Sequence, residues 1–129
     1  MDHVVFRVRD IARSIAFYRD VLGCPVEREN EPLGLYHLRV GRAMIDLVSL
    51  DGKLGQAGGA GPGKEGRNVD HICVDVEPFD EAAIREHLAS HGIKVSDSGE
   101  RFGTHGMGPS IYIQDPDGNT IELKGIRKE

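Results

Sequence analysis

The chain carries an internal repeat, and this repeat restricts the fold more than any other feature of the sequence. The string Asp2-His3-Val4-Val5 recurs 68 residues later as Asp70-His71-Ile72-Cys73. Apolar and polar residues alternate through and after both copies, which predicts a β-strand with one buried face. A second match, 76 residues apart, relates Ala43–Leu47 to Asn119–Leu123. The chain is therefore predicted to consist of two structurally equivalent halves.

Each predicted first strand is followed by a helix with recognisable ends. The first helix is predicted from an N-cap at Asp10 to Gly23, and the second from Asp80 to Gly92. About three further strands complete each half, so each half is a βαβββ module and the fold class is α+β. We expect one domain over 1–129, with modules at 1–50 and 69–129.

A glycine-rich segment, 51–68, separates the two modules and is expected to be a flexible linker. It holds seven of the 17 glycines. Within it, Gly58–Lys64 satisfies the G-x-x-x-x-G-K part of a phosphate-binding loop. Glu65 stands where that motif requires Ser or Thr, and the next residues cannot open the helix that would follow. A nucleotide site is therefore not expected.

Composition and charge exclude several classes of function. The formal net charge is −5 and both signs are mixed along the chain, so there is no basic surface for nucleic acid. No apolar run approaches the roughly 20 residues that a membrane span needs, and the first residues do not resemble a signal peptide. Cys24 and Cys73 are interpreted as small buried hydrophobic residues. These features predict a cytoplasmic protein that does not bind membranes.

Strand alternation places two histidines and two acids on the same side of the predicted sheets. His3 and His71 point away from the face that covers the helix, and so do Asp46 and Glu122. A lone histidine is more often a hydrogen-bonded structural residue, but here it recurs in two diverged halves, each time with an acid. Imidazole and carboxylate donors suit Zn, Ni, Co, Mn or Fe. His3, His71 and Glu122 are therefore predicted to bind one divalent metal ion.

Four strings of the sequence resemble the vicinal oxygen chelate superfamily, which includes glyoxalases, bleomycin resistance proteins and extradiol dioxygenases. These strings are Asp2–Asp10, Ser14–Gly23, Val69–Ile72 and Asp115–Leu123. The resemblance implies that paired βαβββ modules form an incomplete, cupped barrel around a metal ion, commonly in a homodimer. It also implies that the metal chelates adjacent oxygens of a small substrate and stabilises developing negative charge. The string Arg101–Tyr112 is similar to the glyoxalase-domain-containing protein 5 group.

The resemblance leaves the reaction open. Glyoxalase I has a glutamate at the position of Asp46, whose shorter side chain makes it either a fourth ligand or an acid beside the metal. Related thiol transferases contact substrate with a tyrosine at the position of Tyr112. Arg101 and His105 are expected in a glycine-rich loop, where they could grip an anion or shuttle a proton.

Three functions follow from these residues. The first is a metal-dependent lyase, isomerase or thiol transferase, similar to lactoylglutathione lyase, with a small-molecule substrate and in some cases a thiol cosubstrate. Its predicted catalytic residues are Glu122, Asp46, Tyr112 and Arg101. The second is a metal-free protein that sequesters a drug or metabolite. The third is a small Fe(II) extradiol dioxygenase.

Overall fold

A computed structural model describes residues 1–127 and divides the chain into two compact units, Met1–Asn68 and Val69–Glu129. The first unit contains β1 (His3–Val8), α1 (Ile11–Ala16), β2 (Val26–Asn30), β3 (Leu35–Val40) and β4 (Ala43–Ser49). The second unit contains β5 (Ile72–Asp75), α2 (Glu81–Ser90), β6 (Asp97–Gly103), β7 (Gly106–Gln114) and β8 (Thr120–Lys124). Both units follow the predicted order of strand, helix and three strands.

Each unit contains one four-stranded mixed sheet, with strand orders β1-β4-β3-β2 and β5-β8-β7-β6. The first strand of each unit lies parallel to the last, and the remaining pairs are antiparallel. Parallel pairing needs a crossover connection, which the helix provides. The α+β class with two such sheets confirms the predicted fold class. Among residues 1–127 no helix is long and apolar enough to cross a membrane.

Both helices begin at the predicted caps. The side chain of Asp10 accepts a hydrogen bond from the backbone N–H of Arg13, and that of Asp80 accepts one from Ala83. Gly23 and Gly92 adopt positive φ values of 73° and 71° after the helices, a conformation that glycine adopts without steric cost. The helix ends were therefore predicted correctly.

The first helix departs from a regular α-helix in its last turn. Its final residues, Phe17–Val21, form a π-helical segment, which rotates the buried face relative to regular 3.6-residue spacing. The spacing predicts Ile11, Ile15, Tyr18 and Leu22 as inward residues. Tyr18 is fully buried as predicted, and so is Ser14, whereas Ile11, Ile15 and Leu22 are only half-buried. The widened turn explains the difference at Leu22, which directly follows it.

Strand pairing separates two faces of each sheet. Phe6 and Leu47 lie opposite each other in β1 and β4 and are fully buried on the face that covers the helix. The other face, called here the helix-free face, carries His3, Val5 and Arg7 in the first unit. In the second unit it carries Cys73, Glu122 and Tyr112, which lie opposite one another on three adjacent strands.

The glycine-rich segment 51–68 belongs to the first unit and folds back onto β1, unlike the flexible linker that the sequence predicted. It contains a short 3-10 helix, Gly55–Gly58. The Arg7 guanidinium donates hydrogen bonds to the backbone carbonyls of Gly55, Gly59 and Ala60 at 2.9, 2.6 and 3.1 Å. These carbonyls surround a cation, whereas a phosphate loop presents N–H groups to an anion.

Candidate active site

Each predicted metal-binding histidine is held by the aspartate that precedes it. The Nδ1 atom of His3 lies 2.7 Å from Oδ1 of Asp2, and that of His71 lies 2.7 Å from Oδ2 of Asp70. A carboxylate beside Nδ1 favours the tautomer that carries its proton there and leaves the Nε2 lone pair free. The pKa of His3 is raised, first by its hydrogen bond with Asp2 and then by the charge of Asp46. The repeated Asp-His pair therefore has the same geometry in both units.

Asp46 is a buried carboxylate between two imidazoles. Its Oδ2 atom lies 3.9 Å from Nε2 of His3, and its Oδ1 atom lies 3.0 Å from Nδ1 of His37. The side chain of Asp46 is only 6% exposed. The contact with His37 is close, but its donor is poorly aligned, and Oδ1 has no hydrogen-bond partner among the described residues. Asp46 therefore keeps an acceptor site in a buried position.

Glu122 lies between two proton donors on the neighbouring strands. Cys73 of β5 and Tyr112 of β7 both face it, and both form side-chain hydrogen bonds with it. Burial by itself raises the pKa of Glu122, but these two hydrogen bonds and the nearby charges of His71 and Arg101 lower it by more. Glu122 is consequently held as a carboxylate.

The two donors to Glu122 are held in their protonated forms. Desolvation, with the hydrogen bond and negative charge of Glu122, raises the pKa of Cys73 to about 12. The pKa of Tyr112 is raised first by its hydrogen bond to Glu122. The prediction that Cys73 is a buried hydrophobic residue is wrong, because it is exposed on the helix-free face; Cys24 is buried as predicted.

Arg101 lies beside Tyr112, within β6, and not in the loop that the sequence favoured. Its guanidinium carbon is 4.5 Å from the centre of the Tyr112 ring, and it donates hydrogen bonds to Ser110 Oγ at 3.0 Å and Asp97 at 2.8 Å. These contacts fix the guanidinium against the tyrosine. His105 does lie in the turn after β6, and its Nε2 is 3.6 Å from Oδ2 of Asp75.

The structure brings the predicted residues together in pairs. His3 lies beside Asp46. The ring centre of His71 lies 5.5 Å from that of Tyr112. The charge of His71 also lowers the pKa of Glu122. Over the described residues 1–127, no three His, Cys, Asp or Glu side chains are grouped so that they could hold a metal ion. The three-ligand set of His3, His71 and Glu122 stays a prediction.

Sequence reasoning missed His37 and the contact of Cys73 with Glu122. A signal for His37 was present, because Gly41 and Arg42 form a two-residue turn between Val40 and Ala43. Counting back from this turn places His37 opposite Asp46. For Cys73, strand parity alone already placed it on the same face as His71.

Comparisons with known proteins agree with this architecture. Residues 1–123 match the family described as the Glyoxalase/Bleomycin resistance protein/Dioxygenase superfamily. The ethylmalonyl-CoA/methylmalonyl-CoA epimerase of Cereibacter sphaeroides is 27% identical over 133 residues, covering 98% of this chain and 97% of the epimerase. Glyoxalase I of Saccharomyces cerevisiae is 27% identical over 138 residues, covering 95% of this chain and 42% of that protein. An integron cassette protein from the mobile metagenome of V. cholerae superposes with a TM-score of 0.78 at 26% identity, covering 98% of this chain and 94% of that one.

Proposed function

The chain belongs to the glyoxalase/bleomycin resistance protein/dioxygenase superfamily, as the resemblance predicted, and we propose that it is a divalent-metal-dependent enzyme. Its reaction is the removal of a proton next to a carbonyl group of a small substrate that carries adjacent oxygens. The observation that carries this proposal is the contrast between the two acids. Glu122 faces the proton donors Cys73 and Tyr112, which keep it ionised, whereas the buried Asp46 accepts no hydrogen bond among the described residues at either oxygen.

In this proposal His3, His71 and Glu122 bind the metal, and the side chains suit that role. Both imidazoles have Nδ1 beside a carboxylate, which leaves Nε2 for the ion, and Glu122 is held ionised. Nitrogen and carboxylate donors together fit Zn, Ni, Co, Mn or Fe. A bound divalent ion supplies Lewis-acid chemistry that stabilises negative charge on substrate oxygens. The proposal requires both modules to face one ion, within one chain or across a homodimer.

Asp46 is the base in this proposal. A carboxylate acts as a base when one oxygen is free to accept a proton and the group is shielded from bulk water. When the substrate C–H bond breaks, its electron pair stays with the carbon and is shared with the carbonyl oxygen, and the proton moves to Asp46. Return of a proton to the opposite face of that carbon gives epimerisation, and return of the proton to the adjacent carbon gives isomerisation.

Tyr112 orients Glu122 in this proposal, and Arg101 orients the substrate. The Tyr112 hydroxyl fixes Glu122, and the Arg101 guanidinium, held against the tyrosine ring, attracts an anionic group of the substrate. The epimerase relative supports a substrate of this kind, because a methylmalonyl thioester carries an acidic C–H between a thioester carbonyl and a carboxylate. A lyase or thiol-transferase reaction with a thiol cosubstrate, in the cytoplasm, uses the same residues.

The test is a deuterium-exchange assay. Protein stripped with a chelator is reloaded separately with Zn, Ni, Co, Mn or Fe(II), and deuterium uptake from D₂O at C2 of methylmalonyl-CoA is followed by ¹H NMR. S-lactoylglutathione, and fosfomycin with a thiol, are assayed in parallel. We expect metal-dependent exchange or turnover with one of these compounds. Protein that binds no metal and transforms none of them would be a metal-free binder, and iron-dependent consumption of O₂ would indicate a dioxygenase.

Single substitutions distinguish the proposed metal ligands from the proposed base, Asp46. His3→Ala, His71→Ala and Glu122→Ala should each lose stoichiometric metal by elemental analysis, because two donors hold a divalent ion poorly against a chelator. Asp46→Asn should keep the metal and lose exchange. His87→Ala on α2 is the matched control and should lose neither. Metal retained in His71→Ala would refute the ligand set, and unchanged exchange in Asp46→Asn would refute the base.

A further inference from the structure

His37 stands in a fixed relation to Asp46. The two residues lie directly opposite each other on the antiparallel strands β3 and β4. The Nδ1 atom of His37 is 3.0 Å from Oδ1 of Asp46, and the His37 side chain is 20% exposed. The other Asp46 oxygen lies toward His3, at 3.9 Å. The imidazole of His37 is thus the group that the fold places against the side of Asp46 away from His3.

The second unit has the same arrangement with a different residue. There Tyr112 lies directly opposite Glu122 on β7 and β8, and its hydroxyl forms a hydrogen bond with that acid. Sequence spacing pairs Tyr112 with Tyr36, 76 residues earlier, but Tyr36 lies opposite Leu47 on the face that covers the helix. His37, and not Tyr36, therefore occupies the position of Tyr112.

A buried carboxylate is stable only when its oxygens have donors. His37 can supply one from Nδ1–H after a small rotation of its ring, since the distance is already that of a hydrogen bond and only the alignment is poor. In that tautomer its Nε2 carries no proton. Asp46 would then be fixed in orientation, with Oδ2 left to accept a proton.

We propose that His37 is a positioning residue that donates a hydrogen bond from Nδ1 to Asp46 and so directs the free oxygen of Asp46 toward the substrate. The role of Asp46 as the base rests on the proposed function, whereas the hydrogen bond itself does not. Two kinds of experiment therefore test the two statements separately.

The first experiment measures the tautomer of His37. In protein labelled with ¹⁵N-histidine and kept metal-free at pH 8.5, two-bond ¹H–¹⁵N correlation spectra show which ring nitrogen of each neutral imidazole carries the proton. We expect His37 to carry it on Nδ1 in the wild type and to change to Nε2 in Asp46→Ala. A wild-type His37 protonated on Nε2 would overturn the proposal, whether or not the protein is active.

The second experiment measures catalysis in variants of His37. His37→Leu, which has no donor, should lower kcat for exchange by about 10- to 100-fold, the usual effect of removing a group that orients a catalytic residue, with little change in KM or metal content. His37→Asn restores an N–H near the position of Nδ1 and should recover most of the rate. Tyr36→Phe is the control and should match the wild type.

The outcomes distinguish the two proposals. If His37→Leu and His37→Asn lower kcat equally, with unchanged circular dichroism, the rate does not depend on a hydrogen-bond donor at this position. That result would overturn the positioning role. A wild type that catalyses neither exchange nor turnover with any of the three compounds would instead refute the proposed function. The tautomer measurement would still decide whether His37 donates a hydrogen bond to Asp46.

Discussion

Asp70 Oδ2 lies 2.7 Å from Nδ1 of His71, and the same contact joins Asp2 to His3 in the other unit. A carboxylate at this position fixes both the tautomer and the ring orientation of a histidine that uses Nε2 as a ligand. Asp70 itself is exposed, but the Asp-His pair recurs in two diverged modules. This recurrence indicates that the aspartate orients the histidine.

The first prediction concerns this pair. Asp70→Ala should weaken metal binding by about 10- to 100-fold, because the imidazole loses the partner that orients it and increases its basicity. Competition with a chromogenic chelator measures the change. Glu86→Ala, an exposed acid on α2, is the matched control. Equal affinities of Asp70→Ala and the control would mean that the aspartate is only a surface group.

The second prediction concerns the pH dependence of stability in metal-free protein. Desolvation by itself raises the pKa of Glu122, but the hydrogen bonds from Cys73 and Tyr112 together with the charges of His71 and Arg101 lower it by more in the folded protein. A lowered pKa contributes stability that is fully present above the ordinary value of 4.5 and is lost as pH falls through the folded pKa. The excess stability of the wild type over Glu122→Gln should therefore be constant near neutral pH and shrink between pH 5 and pH 3. Urea unfolding of both proteins at several pH values measures this difference in the free energy of unfolding. A difference that grows as the pH falls would contradict the lowered pKa.

The third prediction concerns the reactivity of Cys73. Its side chain is accessible, but a pKa of about 12 leaves very little thiolate at pH 8, so alkylation should be about 1000-fold slower than for a thiol with the ordinary value of 9.0. Glu122→Gln removes the negative charge that opposes the thiolate and should speed the reaction. Mass spectrometry after timed iodoacetamide treatment gives both rates. Rapid alkylation of the wild-type Cys73 would show that Glu122 does not keep the thiol protonated.

The fourth prediction concerns the segment 51–68. Arg7 holds it through three backbone carbonyls, and a Cβ added at Gly58 would lie 2.6 Å from the guanidinium carbon of Arg7. Arg7→Met should speed tryptic cleavage at Lys53, Lys64 and Arg67 by about tenfold or more, since losing about 1.4 kcal/mol makes local opening tenfold more frequent. Arg42→Met, in an exposed turn, should cleave there at the wild-type rate. Protection that survives in Arg7→Met would mean that other contacts hold the segment.

The sequence by itself determined the features that depend on local spacing. Alternation of apolar and polar residues assigned His3 in β1, and His71 just before β5, to the helix-free face, because neighbouring side chains of an extended chain point to opposite sides. The caps Asp10 and Asp80 located the helix starts for an equally local reason, as each side chain bonds a backbone N–H three residues later.

Only the tertiary structure decided which side chains meet across strands. The pairing of His37 with Asp46 and of Tyr112 with Glu122 depends on turn lengths that differ between the modules, so nine residues separate one pair and ten the other. A shift of one residue reverses the face of every side chain, which is why alignment of the two halves pointed to Tyr36. The hydrogen bonds from Arg7 to the backbone carbonyls of Gly55–Ala60 join residues about 50 positions apart in the chain. No local sequence pattern predicts them, because they form only when the segment folds back onto β1.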